Sequence, residues 1–156
     1  MKPVITFVLG GARSGKSSFA ERLAAESGAS VTYIATADAK DPEMTERINI
    51  HRERRPKGWK TWEGDIKNLP VEVKKLAEGD GVLLLDCLTM YISGLFLAAP
   101  ESEGEDVSEW TRAEVEILDA VRKIFSGFME SGDGCKRLIA VSNEVGYGVV
   151  PSFQMG

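Results

Sequence analysis

The stretch VITFVLGGARSGKSSFAERLAAESG, residues 4–28, decides the fold. Val4 to Leu9 form an unbroken apolar run rich in β-branched side chains, the pattern of a buried strand in a parallel sheet. A glycine-rich turn follows. From Lys16 to Ser27 the spacing predicts a helix with Phe19, Ala20, Leu23 and Ala24 on one face and Gly28 just past its end. Strand, glycine turn and helix in that order bring backbone amides and a helix N-terminus to bear on a bound anion.

Within it, GGARSGKS, residues 10–17, satisfies G-x-x-x-x-G-K-[ST] at every constrained position. A random chain of this length matches roughly once in a few hundred, and here the match falls between a predicted strand and a predicted helix. Gly10, Gly11, Ala12, Arg13, Ser14 and Gly15 form the curl whose N–H groups point at phosphate oxygens. Lys16 is expected to reach the β- and γ-phosphates, and the Ser17 hydroxyl to ligate Mg²⁺. VLLLD, residues 82–86, is the clearest other strand, and Asp86 at its end is the second candidate for the ion, directly or through water.

The remaining pattern alternates strands and helices. Ser30–Thr36 and Arg137–Ser142 read as strands, and Gly58–Asp65 has room for a short one. Asp41-Pro42-Glu43 is a helix-start signal for a helix running to about Arg54, with Met44, Ile48 and His51 on one face. Helices are also expected over Pro70–Glu78, Leu88–Leu97 and from a cap at Ser108. The last carries an apolar stripe of Ile117, Leu118, Val121, Ile124, Phe125 and Phe128. Residues 98–107 read as an acidic loop, expected to be mobile. The expected fold is therefore α/β, a P-loop NTPase-like parallel sheet flanked by helices, in a single domain over residues 1–156. Its ligand site belongs beyond the carboxyl ends of the strands, where the turns after Leu9, Thr36, Asp86 and Ser142 gather.

The formal net charge of −5 argues against nucleic acid and against anionic membranes as partners. Positive charge is clustered at Arg52, Arg54, Arg55, Lys57 and Lys60, which suits a small anionic ligand. Cys87 and Cys135 have neither zinc-like nor CxxC spacing and read as free thiols in a reducing cytosol. No signal peptide or membrane span is visible, so a cytoplasmic location and no membrane insertion are expected.

The chain's single histidine, His51, lies in RINIHRERRP, residues 47–56. Nearby cations disfavour an imidazolium, and a neutral imidazole is a nucleophile. Arginines beside it can hold phosphates and offset charge developing at phosphorus. One use is covalent catalysis, in which His51 attacks an α-phosphate, pyrophosphate leaves and a nucleotidyl-histidine forms. A solvated basic helix face carrying an incidental histidine is the other.

GGARSGKS, YIATA, RINIHRERRP, GWKTWE, LLLDCLTMYISGLF and SNEVGYGVVP, in this order and spacing, resemble the bifunctional adenosylcobinamide kinase / adenosylcobinamide-phosphate guanylyltransferase family over almost the whole chain. The resemblance implies phosphorylation of adenosylcobinamide by ATP or GTP. It also implies transfer of GMP from GTP to adenosylcobinamide phosphate through a guanylylated histidine, with Mg²⁺. His51 matches that histidine, and Ile50 stands where some members have another. Lys16 is the other catalytic candidate. Ile34, Ala35 and Thr36 match a segment lining the nucleotide site. Arg52, Glu53, Arg54 and Arg55 match the segment after the nucleophile, and Glu63 the acid of the following motif. Asp86 stands where some members have glutamate. Asn143–Gly146 matches a family hallmark expected to shape the cobinamide side. The resemblance further implies a homotrimer, and a helix and strand beyond the point where this sequence stops at Gly156, so a C-terminal element is expected to be missing and one edge of the apolar strand left open. Two other readings fit the phosphate loop alone: a small-molecule kinase without a covalent intermediate, and a nucleotide-binding regulatory module.

Overall fold

The structure, a computed structural model, describes residues 2–37, 42–99, 107–131, 134 and 137–144. Its sheet is built around Val82–Asp86 (β4), whose first four side chains are all buried. In this apolar run alternate side chains point to opposite faces, so both faces need a cover. Leu83 and Leu85 enter one apolar cluster, and Val82 and Leu84 the other. The remaining strands are Val4–Gly10 (β1), Val31–Ala35 (β2), Lys60–Trp62 (β3) and Arg137–Asn143 (β5). All five run parallel, in the order β1-β5-β4-β2-β3.

Lys16–Ala25 (α1) covers one face through Ala20 and Ala24, packed with Val8, Val31, Tyr33, Val82, Leu84, Ile139 and Val141. The other face is covered by Leu69–Ala77 (α3), Leu88–Leu97 (α4) and Val107–Met129 (α5). Leu69, Val73, Ala77, Tyr91, Ile124 and Phe128 are its fully buried contributors from the helices. Pro42–Arg54 (α2) links β2 to β3 and brings its C-terminal turn to the sheet's carboxyl edge.

The α/β parallel architecture agrees with the sequence reading, and several details correct it. The apolar strand β1 pairs with β5 alone among the described residues, and Val4, Phe7 and Leu9 are about half exposed. An unbroken apolar run does not distinguish an edge strand from a central one. Phe7 leans onto Phe125 of α5, with ring centroids 5.3 Å apart. Phe19 is exposed rather than part of the α1 core face, and with Phe7 and Leu9 it lines a groove beside β1. Leu118 likewise faces solvent, at 54% exposure, while Ile117, Ile124 and Phe128 carry the buried stripe of α5. That helix begins at Val107, so Ser108 lies within its first turn instead of capping it. A single 3-10 turn, Ile66–Asn68, precedes α3 and is capped by the Asp65 carboxylate, which accepts from the Lys67 N–H at 2.9 Å. The Asp41 cap, most of the acidic loop, Cys135 and the segment after Glu144 lie outside the described residues.

Phe128 has no exposed surface, and its truncation leaves a cavity between α3, α5 and the sheet. Phe128→Ala is expected to cost about 3–5 kcal/mol in urea unfolding, against less than about 0.5 kcal/mol for the solvent-facing Leu118→Ala.

Candidate active site

Because the sheet is all parallel, the ends of β1, β2, β4 and β5 meet on one edge. The loop after β1 is curled by two left-handed residues, Arg13 (φ 57°) and Gly15 (φ 82°). Gly15 is also the N-cap of α1 and supplies no side-chain cap, which leaves the first-turn amides to an outside acceptor. Gly10 permits the loop's close return, since a Cβ there would sit 2.8 Å from Ser14 Oγ. The Lys16 ammonium donates to the Gly11 carbonyl at 2.9 Å and so lies across the loop.

The Ser17 hydroxyl donates to Asp86 Oδ1 at 3.2 Å. Tyr33, which the sequence reading passed over, donates to Asp86 Oδ2 at 2.6 Å. Both carboxylate oxygens are thus engaged, and a serine and an aspartate 69 residues apart share one point at the mouth of the loop. This is a pair of hard oxygen ligands, the donor chemistry that Mg²⁺ takes together with water and phosphate oxygens. Among the described residues no group of three or more His, Cys, Asp and Glu is placed to hold a metal.

Thr36 is buried, donating to the Cys87 carbonyl at 2.6 Å and accepting from the Cys87 N–H at 2.8 Å. It therefore ties the end of β2 to the end of β4. Ile34 is fully buried in the core, and Ala35 is half-buried between it and the edge. Asn143 ends β5, where its N–H donates to Thr89 Oγ1 at 2.8 Å, and the Glu144 N–H donates to the Gly10 carbonyl at 3.0 Å. Burial raises the Cys87 thiol above its ordinary value.

The basic cluster resolves into individual partners. Arg54 donates to Ser18 Oγ at 2.8 Å, fastening the end of α2 to the first turn of α1. Arg52 donates to Glu63 Oε2 at 2.6 Å. Arg55 has a side chain only 6% exposed; its Nη1 lies 3.8 Å from Glu63 Oε1 and donates to Thr61 at 3.3 Å. The Arg55 guanidinium lies 3.6 Å above the Tyr33 ring. Glu63 is thus the counter-ion of two arginines, and Glu53 is exposed on α2.

His51 is half-buried on α2. Its Nδ1 lies 3.8 Å from Oε1 of Glu21, a residue of α1 not among the sequence candidates. Glu21 is four residues beyond Ser17, and that spacing on one helix face was the available signal.

The cobinamide kinase / cobinamide phosphate guanyltransferase family model matches residues 6–156 of the chain. The chain is 44% identical over 144 residues to the bifunctional adenosylcobalamin biosynthesis protein CobP of Pseudomonas aeruginosa, covering 92% of this chain and 73% of that protein. It is 33% identical over 153 residues to the Escherichia coli protein named CobU, with 97% and 81% covered. It is 32% identical over 152 residues to its Salmonella typhimurium counterpart, with 95% and 79% covered.

Burial first, then the Asp86 carboxylate, raise the Tyr33 phenol far above its usual value of 10.0. Burial alone pushes Tyr91 up to about 12. Both groups keep their protons in the folded chain at pH values where the unfolded chain loses them. Their stabilisation is present below about pH 10 and is lost as pH rises, each contributing a slope of up to about 1.4 kcal/mol per unit. Ultraviolet titration at pH 11 is expected to show two of the three tyrosines largely un-ionised until the protein is unfolded, and Tyr33→Phe to flatten the alkaline fall in stability.

Proposed function

The chain belongs to the cobinamide kinase / cobinamide phosphate guanyltransferase family, and from that premise we propose a bifunctional enzyme of cobalamin biosynthesis with two nucleotide-dependent steps at one loop. In the first, the hydroxyl of adenosylcobinamide attacks the γ-phosphorus of ATP or GTP, and the nucleoside diphosphate leaves. In the second, His51 attacks the α-phosphorus of GTP and pyrophosphate leaves. The phosphate of adenosylcobinamide phosphate then takes the GMP, giving adenosylcobinamide-GDP and free His51.

The observation that carries the reading is the docking of the end of α2 on α1, through Arg54–Ser18 at 2.8 Å and His51–Glu21 at 3.8 Å. The only imidazole in the chain thereby stands beside the helix that begins at the phosphate loop. The loop amides and Lys16 hold the β- and γ-phosphates, and the positive end of α1 offsets their charge. Ser17 and Asp86 are the residues to hold Mg²⁺, which when bound neutralises charge on the phosphate oxygens. Arg52, Arg54 and Arg55 are the cations available to the nucleotide phosphates near His51, and Glu63 holds two of them in place. Phosphoryl transfer asks chiefly for positioning and charge neutralisation, so the same cradle serves both steps. The enzyme is read as cytoplasmic and homotrimeric, and no helix among the described residues is long and apolar enough to cross a membrane.

Intact-protein mass spectrometry after incubation with GTP and Mg²⁺ tests the covalent step. The expected result is an acid-labile GMP adduct that maps to His51 and is absent from His51→Ala. Bound GTP without any adduct would instead favour a kinase lacking a covalent intermediate. Lys16→Ala is expected to lower the kinase rate by about 10²–10³-fold, measured as nucleoside diphosphate release, since it removes a preorganised charge from the transferring phosphate.

A further inference from the structure

Two polar atoms face each other between α1 and α2 without a hydrogen-bond partner. Glu21 Oε1 and His51 Nδ1 are both buried and unsatisfied among the described residues. They are 3.8 Å apart, on side chains 12% and 34% exposed. Buried polar atoms in native proteins almost always have partners, so an unpaired donor and acceptor at this separation call for a reason. The gap exceeds a hydrogen bond, and contacts around reacting groups commonly close only when substrate is engaged.

We propose that Glu21 is a positioning residue for the nucleotidyl-transfer step, accepting a hydrogen bond from His51 Nδ1–H and so presenting Nε2 as the lone-pair nitrogen toward the nucleotide. The inference rests on the reading of His51 as nucleophile. Which imidazole nitrogen carries the proton is set by the bond the other makes, and a carboxylate facing Nδ1 selects the Nδ1–H form. The Nε2 lone pair then forms the N–P bond to the α-phosphorus. The bond from that phosphorus to the bridging oxygen breaks, and its electron pair leaves with pyrophosphate. The Nδ1 proton stays where it is, so the N-nucleotidyl imidazole carries a positive charge that the Glu21 carboxylate offsets. In the return step an acceptor phosphate oxygen attacks phosphorus, the N–P pair goes back to Nε2, and no net proton is exchanged. The arginines of the same turn are engaged elsewhere, and Glu53 is exposed to solvent. Arg54 is bound to Ser18, and Arg52 and Arg55 are held by Glu63. Glu21 is therefore the carboxylate placed to act on Nδ1.

The chain has one histidine, so imidazole nitrogen NMR reads its tautomer without assignment ambiguity. The full-length protein is labelled at the histidine ring nitrogens and examined as wild type, Glu21→Gln and Glu21→Ala, alone and with GTP and Mg²⁺. The wild type is expected in the Nδ1–H form, and Glu21→Ala mainly in the Nε2–H form that free imidazole prefers. The rate of GMP-adduct formation at saturating GTP is expected to fall about tenfold in Glu21→Gln and on the order of a hundredfold in Glu21→Ala, with KM for GTP changed less than threefold. The isosteric glutamine keeps an acceptor and removes the charge, and it decides the matter if the alanine variant does not fold. An Nε2–H wild type, or an undiminished adduct rate in the glutamine and alanine variants, overturns the proposal. A wild type that never forms an adduct on His51 overturns the underlying reading instead, and with it any role for Glu21 in that step.

Discussion

The carboxylate of Asp86 joins the parts of the site that the chain supplies separately. One oxygen takes the Ser17 hydroxyl and the other the Tyr33 phenol. Ser17 belongs to the helix that starts at the phosphate loop, Tyr33 to β2, and Asp86 to the end of β4. Tyr33 in turn lies beneath the Arg55 guanidinium, which is tied to Thr61 and Glu63 after α2. Hydrogen bonds to an ionised partner are each worth about 1.5–3 kcal/mol, and a half-buried carboxylate with both oxygens engaged has little freedom to turn. Asp86 thereby links the helix after the phosphate loop to the strand under Arg55, alongside the direct Arg54–Ser18 bond between α2 and α1.

The sheet makes this junction possible. A parallel strand order sends every strand end to the same edge, and the apolar side chains of β4 demand helices on both faces. Thr36 locks β2 to β4 at the level of Asp86, so the two strand ends that carry Tyr33 and Asp86 cannot shear past one another.

The basic cluster shows how pairing changes the meaning of charge. Each of the three arginines Arg52, Arg54 and Arg55 meets a protein acceptor or an aromatic face. Arg55 is nearly buried and acts as a strut between Tyr33 and Glu63. The imidazole on the same helical turn faces a carboxylate, with His51 Nδ1 3.8 Å from Glu21 Oε1.

From the sequence alone, the phosphate loop, the alternation of strands and helices, the parallel sheet and the ligand edge were legible, because each follows from local spacing of apolar residues and glycines. The candidacy of Ser17 and Asp86 was legible too, since each stands at a motif position next to a strand end. The half-exposure of Val4, Phe7 and Leu9 on β1, the exposure of Phe19 and Leu118 and the burial of Arg55 were decided only by tertiary structure. An apolar run reads the same at an edge as in the middle, and a guanidinium reads as surface until an aromatic ring covers it. Glu21 and His51 are separated by thirty positions in the chain, and Tyr33 and Asp86 by 53. No local pattern links such pairs. They meet because two helices pack at one end and two parallel strands end in register, and that long-range packing is what sets an imidazole and a carboxylate beside a phosphate-binding motif.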